Sequence, residues 1–174
     1  AALIDFGHVV SVAIVIRSAL FWVATEGWHG IPIVIAAFAI GSIAMLLISQ
    51  YRVQLFKRTN RSGDCLQQAV IDGNLAVGIR YAGFLVGSAL ALTAASGIAP
   101  YAADNIVASL GYWALSAAVS LVAFILLHLV TIKIILSGCD ISDEVNRQKN
   151  VGVAAISAAI SFAIGSTMAT LLGA

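Results

Sequence analysis

Residues 31–49, IPIVIAAFAIGSIAMLLIS, contain no charged side chain and are long enough to cross a lipid bilayer as a helix. A hydrocarbon core about 30 Å thick needs about 20 apolar helical residues, because backbone amides inside it have no water to bond. The rest of the chain is similar: 61% of its 174 residues are apolar and 10% are charged. This composition excludes a soluble globular domain and predicts an integral membrane protein.

Four further segments have the same character, and together with 31–49 they predict an all-α, polytopic bundle of five transmembrane helices. No catalytic motif and no set of metal or haem ligands accompanies them, so we expect a non-enzymatic protein without metal or cofactor. The net charge of +1 gives no indication of a nucleic-acid partner. The predicted spans are approximately 9–24, 31–49, 75–96, 106–135 and 151–174.

Basic residues are concentrated on one side of the predicted bundle. The loops 25–30 and 97–105 contain neither lysine nor arginine. Because short cytoplasmic loops are enriched in both, we expect the N-terminus and the two basic loops in the cytoplasm and the C-terminus outside. The first basic loop is also suited to anionic lipid head groups. Its residues are Arg52, Lys57, Arg58 and Arg61, and the second basic region has Lys133, Arg147 and Lys149.

The two basic loops resemble each other, which indicates an internal repeat. Residues 62–65 (SGDC) correspond to 137–140 (SGCD), and each loop ends in an asparagine, Asn74 or Asn150, at which a helix is predicted to begin. The two helix–loop–helix units run in the same direction across the membrane. We therefore divide the chain into an N-terminal helix with its external loop (1–30), a first unit (31–97) and a second unit (98–174).

Small residues form a stripe along the third predicted helix and along the fifth. Gly83 and Gly87 make a GxxxG motif, and small residues let membrane helices approach closely. We interpret both stripes as packing faces. Because they exceed what one five-helix core needs, we expect association with further copies of the chain or with a larger membrane complex. The positions are Ala76, Gly83 and Gly87 in the first unit and Gly152, Ala155, Ala159 and Ala163 in the second.

With these features the chain resembles the bacterial membrane proteins grouped as domain of unknown function 350. The similarity covers about residues 33–173 and rests on the asparagine-initiated helices, their alanine and glycine pattern, and the acidic loop before each. It implies a small, four-helix protein of the bacterial inner membrane. The first predicted helix is an addition to that topology.

Three basic side chains lie inside the apolar spans: Arg17, Arg80 and His128. They are predicted at one depth, roughly 9–13 Å from the cytoplasmic helix ends, where no Asp or Glu is predicted. One interpretation is a belt that attracts a permeating anion, a lipid phosphate or an acidic group of a partner. The other is that the arginine stems extend to the interface, with His128 a hydrogen-bonded core residue.

The loops predict little further chemistry. Cys65 and Cys139 are expected to be free, reduced thiols, because a structural zinc site needs four ligands and the predicted compartment disfavours disulfides. Short helices are expected at 64–72 and 142–149, the latter capped by Ser142 or Asp143.

Two functions are consistent with the sequence. The first is a non-catalytic membrane subunit or scaffold that acts through helix–helix assembly, as a homo-oligomer or within a larger complex. The alternative is a channel or transporter for a small solute or anion, built around Arg80, Arg17 and His128. The lipid bilayer, including its anionic lipids, is the expected partner in either case.

Overall fold

The computed structural model describes residues 2–60, 65–99 and 105–173, and all regular elements in these ranges are helices. Five stretches are long and apolar enough to cross a membrane, so the predicted all-α class with five spans is confirmed. Arg61 and residues 62–64 of the proposed repeat lie outside the described ranges. The helices are α1 (Ala2–Ala19), α2 (Phe21–Glu26), α3 (Ile31–Thr59), α4 (Leu66–Ile71), α5 (Leu75–Thr93), α6 (Ala95–Ile98), α7 (Ile106–Ile135), α8 (Ile141–Asn146) and α9 (Val151–Leu172).

Helix α5 occupies the centre of the bundle. In its most apolar stretch 67% of the residues are buried, against 28–33% in each of the other four spans. It packs most extensively against α9 and α1, and it also contacts α3 and α7. The outer helices expose large apolar side chains, such as Leu46 and Leu126, which suit contact with lipid. A polar side chain on α5 is therefore surrounded mainly by protein.

Helices α5 and α9 lie side by side and run in the same direction. A Cβ atom added at Gly83 would lie 2.6 Å from the Cα of Ala158, and one at Gly87 would lie 2.7 Å from the carbonyl carbon of Ser161. Glycine is needed at both positions because any side chain would push the two backbones apart. The GxxxG motif of α5 thus packs within the chain.

The face of α9 that meets α5 is not the stripe of small residues identified in the sequence. The predicted residues Gly152, Ala155, Ala159 and Ala163 are exposed. Because α9 has small residues on more than one side, their spacing does not tell which face packs within the chain, and contact of this outer face with another helix stays a prediction. The packed face consists of Ala154, Ala158, Ser161 and Gly165.

One end of the bundle, called here the loop end, contains α4, α8 and the first turns of α1, α5 and α9. Asn74 joins two of these elements. Its Oδ1 accepts a hydrogen bond from the Val77 amide at 3.3 Å, and its Nδ2 donates to the carbonyls of Val145 and Asn146 at 3.0 and 3.1 Å. The same side chain therefore caps α5 and holds α8 against it.

The other caps at the loop end are also side chains. Asn150 Oδ1 accepts from the Val153 amide at 3.2 Å and starts α9 where the sequence predicts it. Helix α8 is capped by Asp140, which accepts from the amides of Ser142 and Asp143. The predicted caps, Ser142 and Asp143, are therefore wrong, because the helix begins at Ile141 and both lie inside its first turn.

Candidate functional site

Arg52 is buried inside the bundle. The sequence places it in a loop at the lipid head groups, but α3 continues to Thr59, so that assignment is wrong. The Arg52 side chain is only 9% exposed, and its guanidinium carbon lies 4.3 Å from the centre of the Phe84 ring. This is the geometry of a cation–π interaction. Lys57 and Arg58, in the last turn of α3, are exposed at the loop end.

Arg52 and Arg80 line the same cavity, which we call the arginine cavity. It has a volume of about 170 Å³ and lies at the loop end between α3, α4, α5 and α8. None of the lining residues that the structure describes is an aspartate or a glutamate. The other lining residues are Leu55, Phe56, Leu66, Val77 and Val145 on the apolar side and Thr59, Tyr81, Ser142 and Asn146 on the polar side.

Both guanidinium groups lack a counter-charge among the described residues. The Nε atoms of Arg52 and Arg80 are buried and have no hydrogen-bond partner there. The ion pair found in the described ranges joins Arg147 to Asp143 on the surface, away from the cavity. Burying an unpaired cation such as Arg52 costs several kcal/mol, and two neighbouring cations also repel each other. The arginine cavity is therefore electrostatically suited to an anion.

His128 of α7 lies behind the arginine cavity, against the aromatic ring that Arg52 covers. Its ring centre is 5.1 Å from that of Phe84. His128 Nδ1 lies 3.1 Å from the Ser161 hydroxyl, which itself donates to the Ser157 carbonyl at 3.0 Å. Since a hydroxyl has one hydrogen, Nδ1 must be the donor to Ser161. The imidazole is thus a hydrogen-bonded core group within electrostatic range of both arginines.

Arg17 does not join this cluster, so the predicted common depth of Arg17, Arg80 and His128 is wrong. Helix α1 begins at Ala2 rather than near Val9, which places Arg17 15 residues from its start, about 22 Å along the axis. Arg17 is exposed and lines a separate cavity of about 400 Å³ at the opposite end, with Ser96 among its walls.

Arg52 takes the position that the sequence assigns to Arg17. Measured along the helix axis, Arg52 lies about 11 Å from the end of α3 and His128 about 11 Å from the end of α7. Arg80 lies about 8 Å from the start of α5. A signal for Arg52 is present in the sequence. Positions 33, 37, 41, 45, 48, 52 and 56 are all buried and follow the helical period, so the buried stripe of α3 continues through Arg52 to Phe56.

A hydrogen-bond chain beside the arginine cavity was missed by the sequence analysis. The Tyr81 hydroxyl lies 2.7 Å from the Ser49 hydroxyl and 3.1 Å from His8 Nε2. These residues belong to three helices, α5, α3 and α1, and they line a second cavity whose walls also include Gln50 and Gln67. Since Tyr81 also lines the arginine cavity, these hydrogen bonds hold one wall of that cavity in place.

Comparisons with known proteins give a family but no characterised relative. No curated protein and no solved structure matches the chain. A family described as Domain of Unknown Function (DUF350) matches residues 27–172, which include α3 to α9 and exclude α1. Arg52, Arg80 and His128 therefore lie within the matched region, whereas Arg17 lies before it. The chain is a membrane-spanning helical protein that belongs to the DUF350 family.

Proposed function

We propose that this chain is a non-catalytic membrane protein that binds an anion between its helices, in the arginine cavity, as a channel or transporter does. The observation that carries the proposal is a pair of arginines, the buried Arg52 and the half-buried Arg80, that line one cavity with no carboxylate among its described lining residues. Charged groups within a membrane are costly and mark ion or substrate sites. This observation favours anion binding over an inert scaffold.

The proposed orientation places the loop end in the cytoplasm of a bacterium, with the protein in the inner membrane. Lys57 and Arg58 are exposed at this end, which agrees with the enrichment of cytoplasmic loops in basic residues. In this orientation the arginine cavity takes its anion from the cytoplasmic side.

Anion flux from proteoliposomes tests the proposal. Purified chain is reconstituted into vesicles loaded with chloride, nitrate and phosphate, and efflux of each anion is measured for the wild type, Arg80→Ala and Arg58→Ala. We expect wild-type efflux of at least one anion, the protein-free rate for Arg80→Ala, and an unchanged rate for Arg58→Ala, whose side chain is exposed. Equal rates in all three proteins, or no flux from the wild type, would contradict a transport role.

A second candidate function, assembly through the outer face of α9, has its own supporting observation. Gly152, Ala155, Ala159 and Ala163 are small and exposed on the side of α9 that faces away from α5. Small residues on an outer helix face permit close contact with another membrane helix. A homo-oligomer or a larger complex formed through this face is compatible with an anion site inside each chain.

The assembly candidate is tested by enlarging one residue of the outer face. Ala159→Leu should lower the copy number seen by native mass spectrometry of the gently extracted protein, because the side chain would separate the contacting helices. Ala118→Leu, at an exposed position of α7, is the matched control. Gly83→Leu is unsuitable since Gly83 packs against Ala158 within the chain. A monomeric wild type would exclude homo-oligomeric assembly.

A further inference from the structure

We propose that the anion in the arginine cavity is a phosphate group held between Arg52 and Arg80. This inference rests on the proposed function and names the chemical class of its ligand. Three features of the cavity carry it: two positive charges, the planar donors of two guanidinium groups, and additional hydroxyl and amide groups among the lining residues.

Charge balance favours phosphate over a monovalent anion. Arg52 and Arg80 both line the cavity, and within the described part of the chain no lining carboxylate reduces their combined charge of two. Inorganic phosphate reaches two negative charges near neutral pH and can compensate both guanidinium groups, which chloride or a single carboxylate cannot. The phosphodiester of a lipid carries one charge, so for this source the argument rests on the donor geometry. Since Arg52 is more than nine-tenths buried, water does little to screen its charge.

Donor geometry points to the same ligand. A guanidinium presents parallel N–H groups that match two oxygens of a phosphate, and Arg is the residue that proteins use for such bidentate contacts. The Nε atoms of Arg52 and Arg80 lack partners among the described residues, so neither guanidinium group is held by a protein acceptor through this atom. Ser142 and Asn146 of α8 add polar groups on the opposite wall. A spherical chloride ion uses none of this directionality.

The position of the cavity allows two sources of the phosphate group. Arg80 lies about 8 Å along α5 from the loop end, close to the depth at which the polar head groups of a bilayer begin. The apolar side of the cavity, with Leu55 and Phe56, suits the glycerol and acyl carbons next to a lipid phosphate. Inorganic phosphate entering from the loop end meets the same two guanidinium groups.

Two binding measurements on the full chain distinguish these sources. In the first, the detergent-solubilised protein is titrated calorimetrically with inorganic phosphate, acetate and chloride. In the second, native mass spectrometry records phospholipids retained after extraction from nanodiscs of phosphatidylglycerol and phosphatidylcholine, before and after inorganic phosphate is added. Each is repeated with Arg52→Gln and with Arg58→Gln as the exposed control. Circular dichroism checks that each variant remains helical.

We expect saturable phosphate binding or a retained phospholipid in the wild type. Arg52→Gln should weaken phosphate binding or lipid retention by about 10- to 100-fold, which is the usual loss when a hydrogen bond to a charged group is removed. Arg58→Gln should leave both unchanged. A lipid that free phosphate displaces, or phosphate binding without a lipid, assigns the site to soluble phosphate. A lipid that resists displacement assigns it to the head group.

A second variant, Arg80→Lys, keeps the positive charge and removes the paired N–H donors of the guanidinium group. Arg80→Lys should weaken phosphate binding and leave any chloride binding unchanged, because an ammonium group is a point charge without paired donors. Chloride or acetate that binds as tightly as phosphate would overturn the phosphate assignment while anion binding stands. An Arg52→Gln protein that loses no anion and no lipid would overturn both the assignment and the anion-binding site.

Discussion

Arg52 is the residue whose position most changes the interpretation of this protein. Its aliphatic stem follows the buried stripe of α3, and its guanidinium covers the Phe84 ring. A cation–π contact contributes about 0.5–2 kcal/mol of stabilisation, and burying an unpaired cation costs more than this, several kcal/mol. Stability alone therefore does not account for the arginine, whereas the proposed anion would supply the missing counter-charge.

Replacement of Arg52 by methionine tests this reasoning. Arg52→Met retains a long, flexible side chain and removes the charge. We therefore expect the free energy of unfolding of the ligand-free protein to be unchanged or raised, by about 0–4 kcal/mol. Anion binding should be lost in the same variant. Thermal unfolding of the detergent-solubilised protein measures the first effect, with Arg58→Met as the control. Marked destabilisation would mean that the arginine is structural.

At the scale of the elements, α5 depends on small residues along the side that meets α9. Gly83 and Gly87 place the two backbones in direct contact, and Gly165 of α9 approaches Gly87 in return. Without the hydrophobic effect between helices in lipid, such close packing supplies much of the association energy. Close packing here also holds α5, and with it Arg80, at a fixed position relative to its neighbours.

Replacing glycine by alanine should change stability in opposite directions at a packed position and at an open one. Gly83→Ala is expected to lower the free energy of unfolding by about 1–3 kcal/mol, because the added carbon meets the backbone of Ala158. Gly111→Ala in α7 has open space at its Cβ and should raise it by about 0.5–1 kcal/mol through helix propensity. Denaturant or thermal unfolding in detergent compares the two. Equal effects would contradict the α5–α9 contact.

The caps of the long helices allow a second matched comparison. Asn74 and Asn105 each accept a hydrogen bond from a first-turn amide, but Asn74 also donates to two carbonyls of α8. Asn105→Ala should cost about 1 kcal/mol and Asn74→Ala about 2–4 kcal/mol, since two further hydrogen bonds are lost. Hydrogen exchange of residues 141–146 should rise only in Asn74→Ala. A rise in both, or in neither, would exclude the link.

At the scale of the whole molecule, both described long connections lie at one end of the bundle. Helices α4 and α8 meet the first turn of α5 there, and the arginine cavity is enclosed between them. Cys65 and Cys139 are free and exposed at this end. The two thiols therefore report on which side of the membrane the loop end and the cavity lie.

Labelling with a membrane-impermeant maleimide tests both the common side and the orientation. In the single-cysteine variants Cys65→Ser and Cys139→Ser, the remaining thiol should react in inside-out vesicles and stay unreacted in intact cells. Reaction of the two thiols from opposite sides would contradict the fold. Reaction of both from outside would keep the fold and reverse the proposed orientation.

The class and the five spans were determined by the sequence itself, because hydropathy is a sum over neighbouring residues and needs no knowledge of contacts. Asn74 and Asn150 were predicted as helix starts for the same reason: a cap acts within its own turn. The helix ends were less predictable. Both α1 and α3 extend beyond their most apolar segments, since polar residues such as His8 and Arg52 find protein neighbours there.

The tertiary structure alone decided which helix is central, which face of α9 is packed, and which basic residues meet. Arg52 and Arg80 are distant in the sequence and share a cavity only because α3 and α5 lie side by side. Arg17 is separated from them because α1 starts earlier and carries it to the opposite end. Contacts between helices depend on their relative rotation and depth, which the composition and spacing within each helix do not specify.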